Sequence, residues 1–239
     1  MAPRFDVTEE ARRGWRRGEL SVRTEPVGPR PDAEPGIHWT DGRPGTGPAL
    51  VVPRRLPERA ALVVLLHGAG GMPAGMIPFL QIEAEARGLL LLVPKSGDST
   101  WDVIRGGFGP DVAAIDRELA EVLDRFSVDP ARIVIGGFSD GASYALSLGL
   151  INGRLFSRIL AFSPGFLVAP TRTGKPVIFV SHGVADPVLP VDRCSRRIVP
   201  LLRDEGYDVN FREFPGRHEV PPDMVSAALE PVARRLEEG

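Results

Sequence analysis

The sequence predicts an α/β protein built on a mostly parallel central sheet with helices on both faces. Two observations carry that expectation. Short apolar runs alternate with longer helix-compatible segments from Ala60 onward. The first two runs, Ala60–Leu66 and Leu89–Val93, are continuous, as a strand covered on both faces requires. A third observation gives the sheet a purpose. A serine, Ser139, stands between the apolar run Ile133–Ile135 and a helix-compatible segment.

The remaining elements follow in order. The polar, arginine-rich start offers Thr8-Glu9-Glu10 as a cap for a short helix that Gly14 ends. Glu19–Thr24 reads as an edge strand, and residues 25–48, dense in Pro and Gly, read as loop. Ala49–Val52 is a short strand, and Gly75–Gly88 a helix. Asp111–Phe126 places Val112, Ile115, Leu119, Val122 and Leu123 at helical spacing. Arg158–Phe162, Pro176–Val180 and Asp208–Phe214 are further strands; Val191–Glu205 and Pro222–Glu237 are helices. Ser163–Lys175 is too short to hold a large cap domain. One domain is expected over residues 1–239, with 1–48 as an N-terminal extension and 49–237 as the core.

Composition narrows the classes. The chain has 239 residues, 43% hydrophobic and 25% charged, with a net charge of −2. Nothing in that balance suggests a nucleic-acid partner. The single cysteine, Cys194, excludes an internal disulfide and favours a cytoplasmic location. The apolar runs are too short for a membrane span. A homo-oligomer is compatible with this composition, and no cofactor or metal is called for.

The chemistry lies in Gly137-Phe138-Ser139-Asp140-Gly141. Strand, sharp turn and helix raise the Ser139 hydroxyl clear of the backbone. A hydroxyl is a poor nucleophile at neutral pH and needs a base, which in turn needs an acid. Downstream, Asp186 lies in the loop after Pro176–Val180, and His218 in the loop after Asp208–Phe214. Ser139, Asp186 and His218 are therefore the candidate catalytic set. His182 is the rival base, with a structural role in its turn as the plainer reading. Asp140, Asp192, Asp204 and Asp208 are rival acids. The oxyanion donors should be the N–H of Asp140 and an N–H from His67-Gly68-Ala69-Gly70-Gly71, with Ala69 preferred and Gly70 next. No Gly-Lys-Ser/Thr follows those glycines, which argues against a phosphate cradle. His67 reads as a support for the loop. Gly70, Met76 and Trp101 are the expected substrate contacts, in a mainly apolar cleft.

Leu66-His67-Gly68, Gly137-Phe138-Ser139-Asp140-Gly141, His182-Gly183 with Asp186-Pro187-Val188, and Gly216-Arg217-His218-Glu219 together resemble the signature blocks of the α/β-hydrolase superfamily. More narrowly they resemble its phospholipase/carboxylesterase branch and the polyhydroxybutyrate-depolymerase-like esterases. The resemblance spans roughly residues 48–237. It implies an α/β-hydrolase fold and a metal-free serine esterase working through an acyl-enzyme on a small-molecule ester. It carries Ser139 over as nucleophile, Asp186 as acid, His218 as base, and Ala69 and Asp140 as oxyanion donors. Two positions depart: Asp140 stands where that branch often has glutamine, and Ala142 where a glycine is common. Thioester cleavage or acyl transfer by the same residues is an alternative, and a non-catalytic binding protein on this fold is a more distant one.

Overall fold

The computed structural model describes residues 8–23 and 34–233. Eight strands form one sheet: β1 (Gly36–Trp39), β2 (Ala49–Val52), β3 (Ala60–Leu66), β4 (Leu89–Val93), β5 (Val128–Phe138), β6 (Arg158–Phe162), β7 (Val177–Gly183) and β8 (Val209–Phe214). Their spatial order is β1-β2-β4-β3-β5-β6-β7-β8. The pairs β1–β2 and β2–β4 are antiparallel, and every other pair is parallel.

The helices are α1 (Glu9–Trp15), α2 (Pro73–Arg87), α3 (Asp102–Arg105), α4 (Pro110–Arg125), α5 (Asp140–Ile151), α6 (Ser195–Asp204) and α7 (Pro222–Leu229). Alternation along the strands decides which face each helix covers. Leu62, Val64 and Leu66 of β3 join the core under α4, α5 and α6, with Ile115, Leu119, Leu148 and Val199. Ala61, Val63 and Leu65 join the opposite core under α2 and α7, with Ile77, Leu80, Val225 and Leu229. α5 is buried on all sides from Gly141 to Ile151, which explains why it carries no charged residue after Asp140.

The register fixes what meets at the carboxyl end of the sheet. Leu66 of β3 pairs with Gly137 of β5, Phe138 of β5 with Phe162 of β6, and Gly183 of β7 with Phe214 of β8. The segments after β3, β5, β7 and β8 therefore leave side by side, where parallel α/β sheets place their ligands.

Several boundaries depart from the sequence reading. Residues 36–39, expected as loop, form the edge strand β1. Of Glu19–Thr24, expected as a strand, residues 19–23 form no strand of the sheet; Thr24 lies outside the described residues. There the backbone N–H groups of Leu20, Ser21 and Val22 bond to the side chains of Asn152 and Asp116 rather than to a neighbouring strand. Asp116 also accepts from the Trp15 indole at 2.7 Å and the Ser21 hydroxyl at 2.6 Å. α1 is capped by Thr8, whose hydroxyl oxygen accepts from the Ala11 N–H at 3.1 Å, and runs to Trp15. α6 begins at Ser195 rather than Val191, after a pair of turns. α7 ends at Leu229; residues 234–237 of the expected helix lie outside the described residues.

Candidate active site

Ser139 follows the last residue of β5 and precedes the first of α5, with φ 58° and ψ −123°. Its N–H donates to Phe162 O at 2.9 Å, so the sheet itself holds the turn. The turn also needs Gly141: a Cβ there would collide with the carbonyls of Leu66 and His67. Only a bare backbone lets α5 start that close to the end of β3.

The segments after β7 and β8 are bound to each other. Val184 N–H donates to Phe214 O at 3.0 Å, and Ala185 N–H to Gly216 O at 3.0 Å. A Cβ on Gly183 would strike the Arg217 and Gly216 carbonyls, so glycine is required there as well. This junction brings Asp186 and His218 together although they are far apart in sequence. His218 Nδ1 donates to Asp186 Oδ2 at 2.6 Å, and Ser139 Oγ donates to His218 Nε2 at 2.9 Å. The structure thus brings the three expected residues into one hydrogen-bonded line.

The Asp186 side chain is fully buried, and burial pushes its carboxyl up. Hydrogen bonds from the N–H groups of Leu189 and Val188, each 2.8 Å from Oδ1, and from His218 outweigh that and hold it below the usual carboxylate range. It therefore stays ionised beside the imidazole. His218 lies with its ring against Phe138, centroids 4.6 Å apart, and Phe138 lies against Phe79 at 6.0 Å.

His182, the rival base, is fully buried and does not reach Ser139. Its Nε2 donates to Leu189 O at 2.7 Å, so its Nδ1 is the acceptor for the Ser195 hydroxyl, also 2.7 Å away. Burial lowers its affinity for a proton. It braces the Asp186–Leu189 turn from beneath. His67 is likewise committed: Nδ1 donates to Gly68 O at 2.8 Å, and Nε2 accepts from Ser96 N–H at 3.1 Å. Neither partner, Ser195 or Ser96, was legible in the sequence, because both contacts join separate loops.

The other expected residues divide. Asp140 opens α5, where an N–H has no intrahelical acceptor. Its carboxylate accepts from the Thr100 hydroxyl at 2.8 Å, a contact without a sequence signal. Ala69 is exposed, and its N–H has no acceptor among the described residues. The N–H of Gly70 instead donates to Ser99 O at 2.6 Å, which removes it from consideration as a second-choice oxyanion donor. Gly70 itself lines an open cleft.

Two expected substrate contacts are corrected. Trp101 is 0% exposed, with its indole N–H on His67 O at 2.8 Å and its ring stacked on Tyr144. Met76 is 5% exposed, in the core beneath α2. Both are apolar groups that the core absorbed, and neither builds an apolar cleft. Among the described residues no helix is long and apolar enough to cross a membrane, and no group of His, Cys, Asp or Glu is arranged to hold a metal ion.

Residues 112–234, just over half of the chain, match the family model described as Phospholipase/Carboxylesterase. Feruloyl esterase C of Emericella nidulans is 30% identical over 139 residues, covering 55% of this chain and 50% of that protein. Acyl-protein thioesterase 1 of Gibberella zeae is 34% identical over 106 residues, covering 40% of this chain and 45% of that protein. The chain spans about half the length of the curated relatives it matches. Among solved structures, esterase PE8 superposes with a TM-score of 0.63 at 24% identity, over 81% of this chain and 96% of that one. A phospholipase/carboxylesterase from Dyadobacter fermentans gives 0.60 at 23% identity, over 84% and 99%. These likenesses are ones of fold, and the fold is the α/β-hydrolase fold that the sequence predicts. The chain belongs to the Phospholipase/Carboxylesterase family.

Proposed function

We propose that this chain is a serine hydrolase that cleaves carboxylic esters through an acyl-enzyme. The observation that carries the proposal is the continuous line from Ser139 Oγ through His218 to Asp186, with contacts of 2.9 and 2.6 Å. Ser139 Oγ attacks the ester carbonyl while His218 Nε2 takes its proton. The N–H groups of Ala69 and Asp140 receive the developing oxyanion. Asp186 stabilises the imidazolium, which then protonates the departing alcohol. Water, deprotonated by His218, releases the acyl group and restores the serine.

A fluorophosphonate probe tests this. Wild-type protein should be labelled at Ser139 and should turn over p-nitrophenyl acetate. Ser139→Ala should lose labelling, and turnover by at least about 10³-fold. Unlabelled wild-type protein, or normal turnover by Ser139→Ala, refutes the proposal.

A second reading, thioester cleavage by the same residues, is favoured by the likeness to acyl-protein thioesterase 1. Parallel kcat/KM values for matched esters and thioesters separate the two. We further propose that the chain acts as one α/β-hydrolase domain on small-molecule substrates in the cytoplasm. The single eight-stranded sheet and the one, buried cysteine support that view.

A further inference from the structure

Asp140 puts a negative charge where the proposed chemistry least wants one. Its N–H is offered to the oxyanion, and its carboxylate hangs from the same residue. As the first residue of α5, a helix of 12 residues, it sits at the positive end of the helix dipole, where the first N–H groups have no intrahelical acceptor. Two anions compete for those donors, the oxyanion of the substrate and the Asp140 carboxylate itself. A carboxylate turned onto them would occupy the hole. One left loose beside them would repel the charge that the hole must stabilise.

The carboxylate is held elsewhere. Thr100 Oγ1 donates to Asp140 Oδ2 at 2.8 Å, and among the described residues no other hydrogen bond or ion pair holds that carboxylate. The segment between β4 and α3 that carries Thr100 is itself fixed. The neighbouring Trp101 is 0% exposed and stacked on Tyr144, with centroids 5.1 Å apart. The N–H groups of Gly97 and Asp102 donate to the two oxygens of the buried Asp111 at 2.7 and 2.8 Å. Asp102 in turn accepts from the Tyr144 hydroxyl at 2.7 Å, and from the N–H groups of Gly109 and Asp111 at 2.8 and 2.9 Å. Thr100 is therefore an anchor that does not follow the group it holds.

The same segment grips the other half of the hole on both sides of Ala69. Ser96 N–H donates to His67 Nε2 at 3.1 Å, and the Trp101 indole to His67 O at 2.8 Å. Beyond Ala69, Gly70 N–H donates to Ser99 O at 2.6 Å. Both expected oxyanion donors thus take their places from one short stretch of chain, and Thr100 is its link to Asp140.

We propose that Thr100 is a positioning residue of this site: its hydroxyl keeps the Asp140 carboxylate off the oxyanion donors and so leaves the Asp140 N–H free for the substrate. The inference rests on the ester-hydrolase reading and deepens it. Thr100 acts through Asp140 and does not touch the ester.

The test removes the hydroxyl and then the charge that it holds, with kcat expressed per serine titrated by the fluorophosphonate probe, so that partly folded protein does not imitate the effect. Thr100→Val should lower kcat for p-nitrophenyl butyrate by about tenfold or more and move KM by less than about threefold, because the loss is felt in the transition state. Thr100→Ser, which keeps the hydroxyl, should stay within about threefold of wild type. A trifluoromethyl ketone, which forms a tetrahedral oxyanion adduct on the serine, should bind Thr100→Val about tenfold more weakly. Adding Asp140→Asn to Thr100→Val should raise kcat about fivefold or more over Thr100→Val alone, since a freed amide carries no charge. A merely structural role for Thr100 gives no such recovery, because the second substitution does not restore the lost contact. If Thr100→Val does not fold, Thr100→Ala replaces it. Wild-type kcat in Thr100→Val, a loss confined to KM, or a double variant no faster than the single one overturns the inference and leaves the esterase reading intact. Wild-type protein that hydrolyses no ester overturns both.

Discussion

Asp186 and Glu118 are both buried carboxyls near the carboxyl end of the same sheet, but one is ionised and the other neutral. Asp186 sits in a turn whose own backbone supplies two N–H donors, with an imidazole on its second oxygen. Glu118 sits on the side of a helix whose N–H groups are already spent on the helix, and one of its oxygens has no partner. Burial pushes both carboxyls up. The donors decide the result: one is held below its ordinary value, and the other rises to about 8. A turn can ionise an acid where a helix flank leaves it neutral.

The largest expected effect breaks the ionised side. Asp186→Asn keeps the shape but removes the charge and favours the wrong imidazole tautomer. Ester turnover should fall by about 10³–10⁴-fold, read as kcat at saturating substrate. A loss below tenfold would mean that Asp186 does not serve His218.

The next effect separates the two acids by pH. Glu118 has a folded value raised above its ordinary one of 4.5, so in the folded state it holds its proton longer. Its contribution to stability is complete below about 4.5 and is lost as pH rises toward about 8. Asp186, held low, contributes in the opposite sense: its share is present above the ordinary carboxylate range and is lost as pH falls through its folded value. Glu118→Gln should therefore remove a decline in stability between pH 5 and 8 on the order of a few kcal/mol, measured by urea unfolding across that range. Parallel curves for variant and wild type would contradict this.

Smaller effects probe the support under the Asp186 turn. His182→Ala leaves the Leu189 carbonyl and the Ser195 hydroxyl without their buried partner. It should cost about 1–3 kcal/mol of stability, and turnover should drop by about 10–100-fold as the turn shifts. Unchanged turnover would show that the turn holds Asp186 unaided. Ser195→Ala removes only the donor to His182 Nδ1 and should cost about 1 kcal/mol with turnover lowered less than in His182→Ala.

The candidate site was more legible in the sequence than its surroundings. Ser139, Asp186 and His218 could be located because each follows a strand, and β5, β7 and β8 show as apolar or alternating runs. The register then brings the segments together without further instruction. The edge strand β1 was hidden because Gly36–Trp39 is half-exposed and lies in a Pro- and Gly-rich stretch. Residues 19–23 misled in the opposite direction. Their alternation resembles a strand, but Asp116 and Asn152, about a hundred residues away, satisfy their N–H groups. Met76 and Trp101 show a third limit: an apolar side chain beside a catalytic loop looks the same in sequence whether it faces the cleft or the core. β5 begins before Ile133–Ile135, and that part did not read as strand because its first half, through Asp129 and Arg132, is polar.

Two non-glycine residues in the molecule take positive φ, Ser139 at 58° and Ser163 at 52°, among the described residues. They follow neighbouring strands, and both are locked by the next rung: Ser139 N–H to Phe162 O, and Ser163 N–H to Ser181 O. Each such conformation costs about 1–3 kcal/mol when left to itself. The centre of the sheet therefore works as a clamp that keeps an uncomfortable bend from relaxing. The geometry of Ser139 is tied in this way to the zipper of β5, β6 and β7, so change should be tolerated far more readily around the rim than along those three strands.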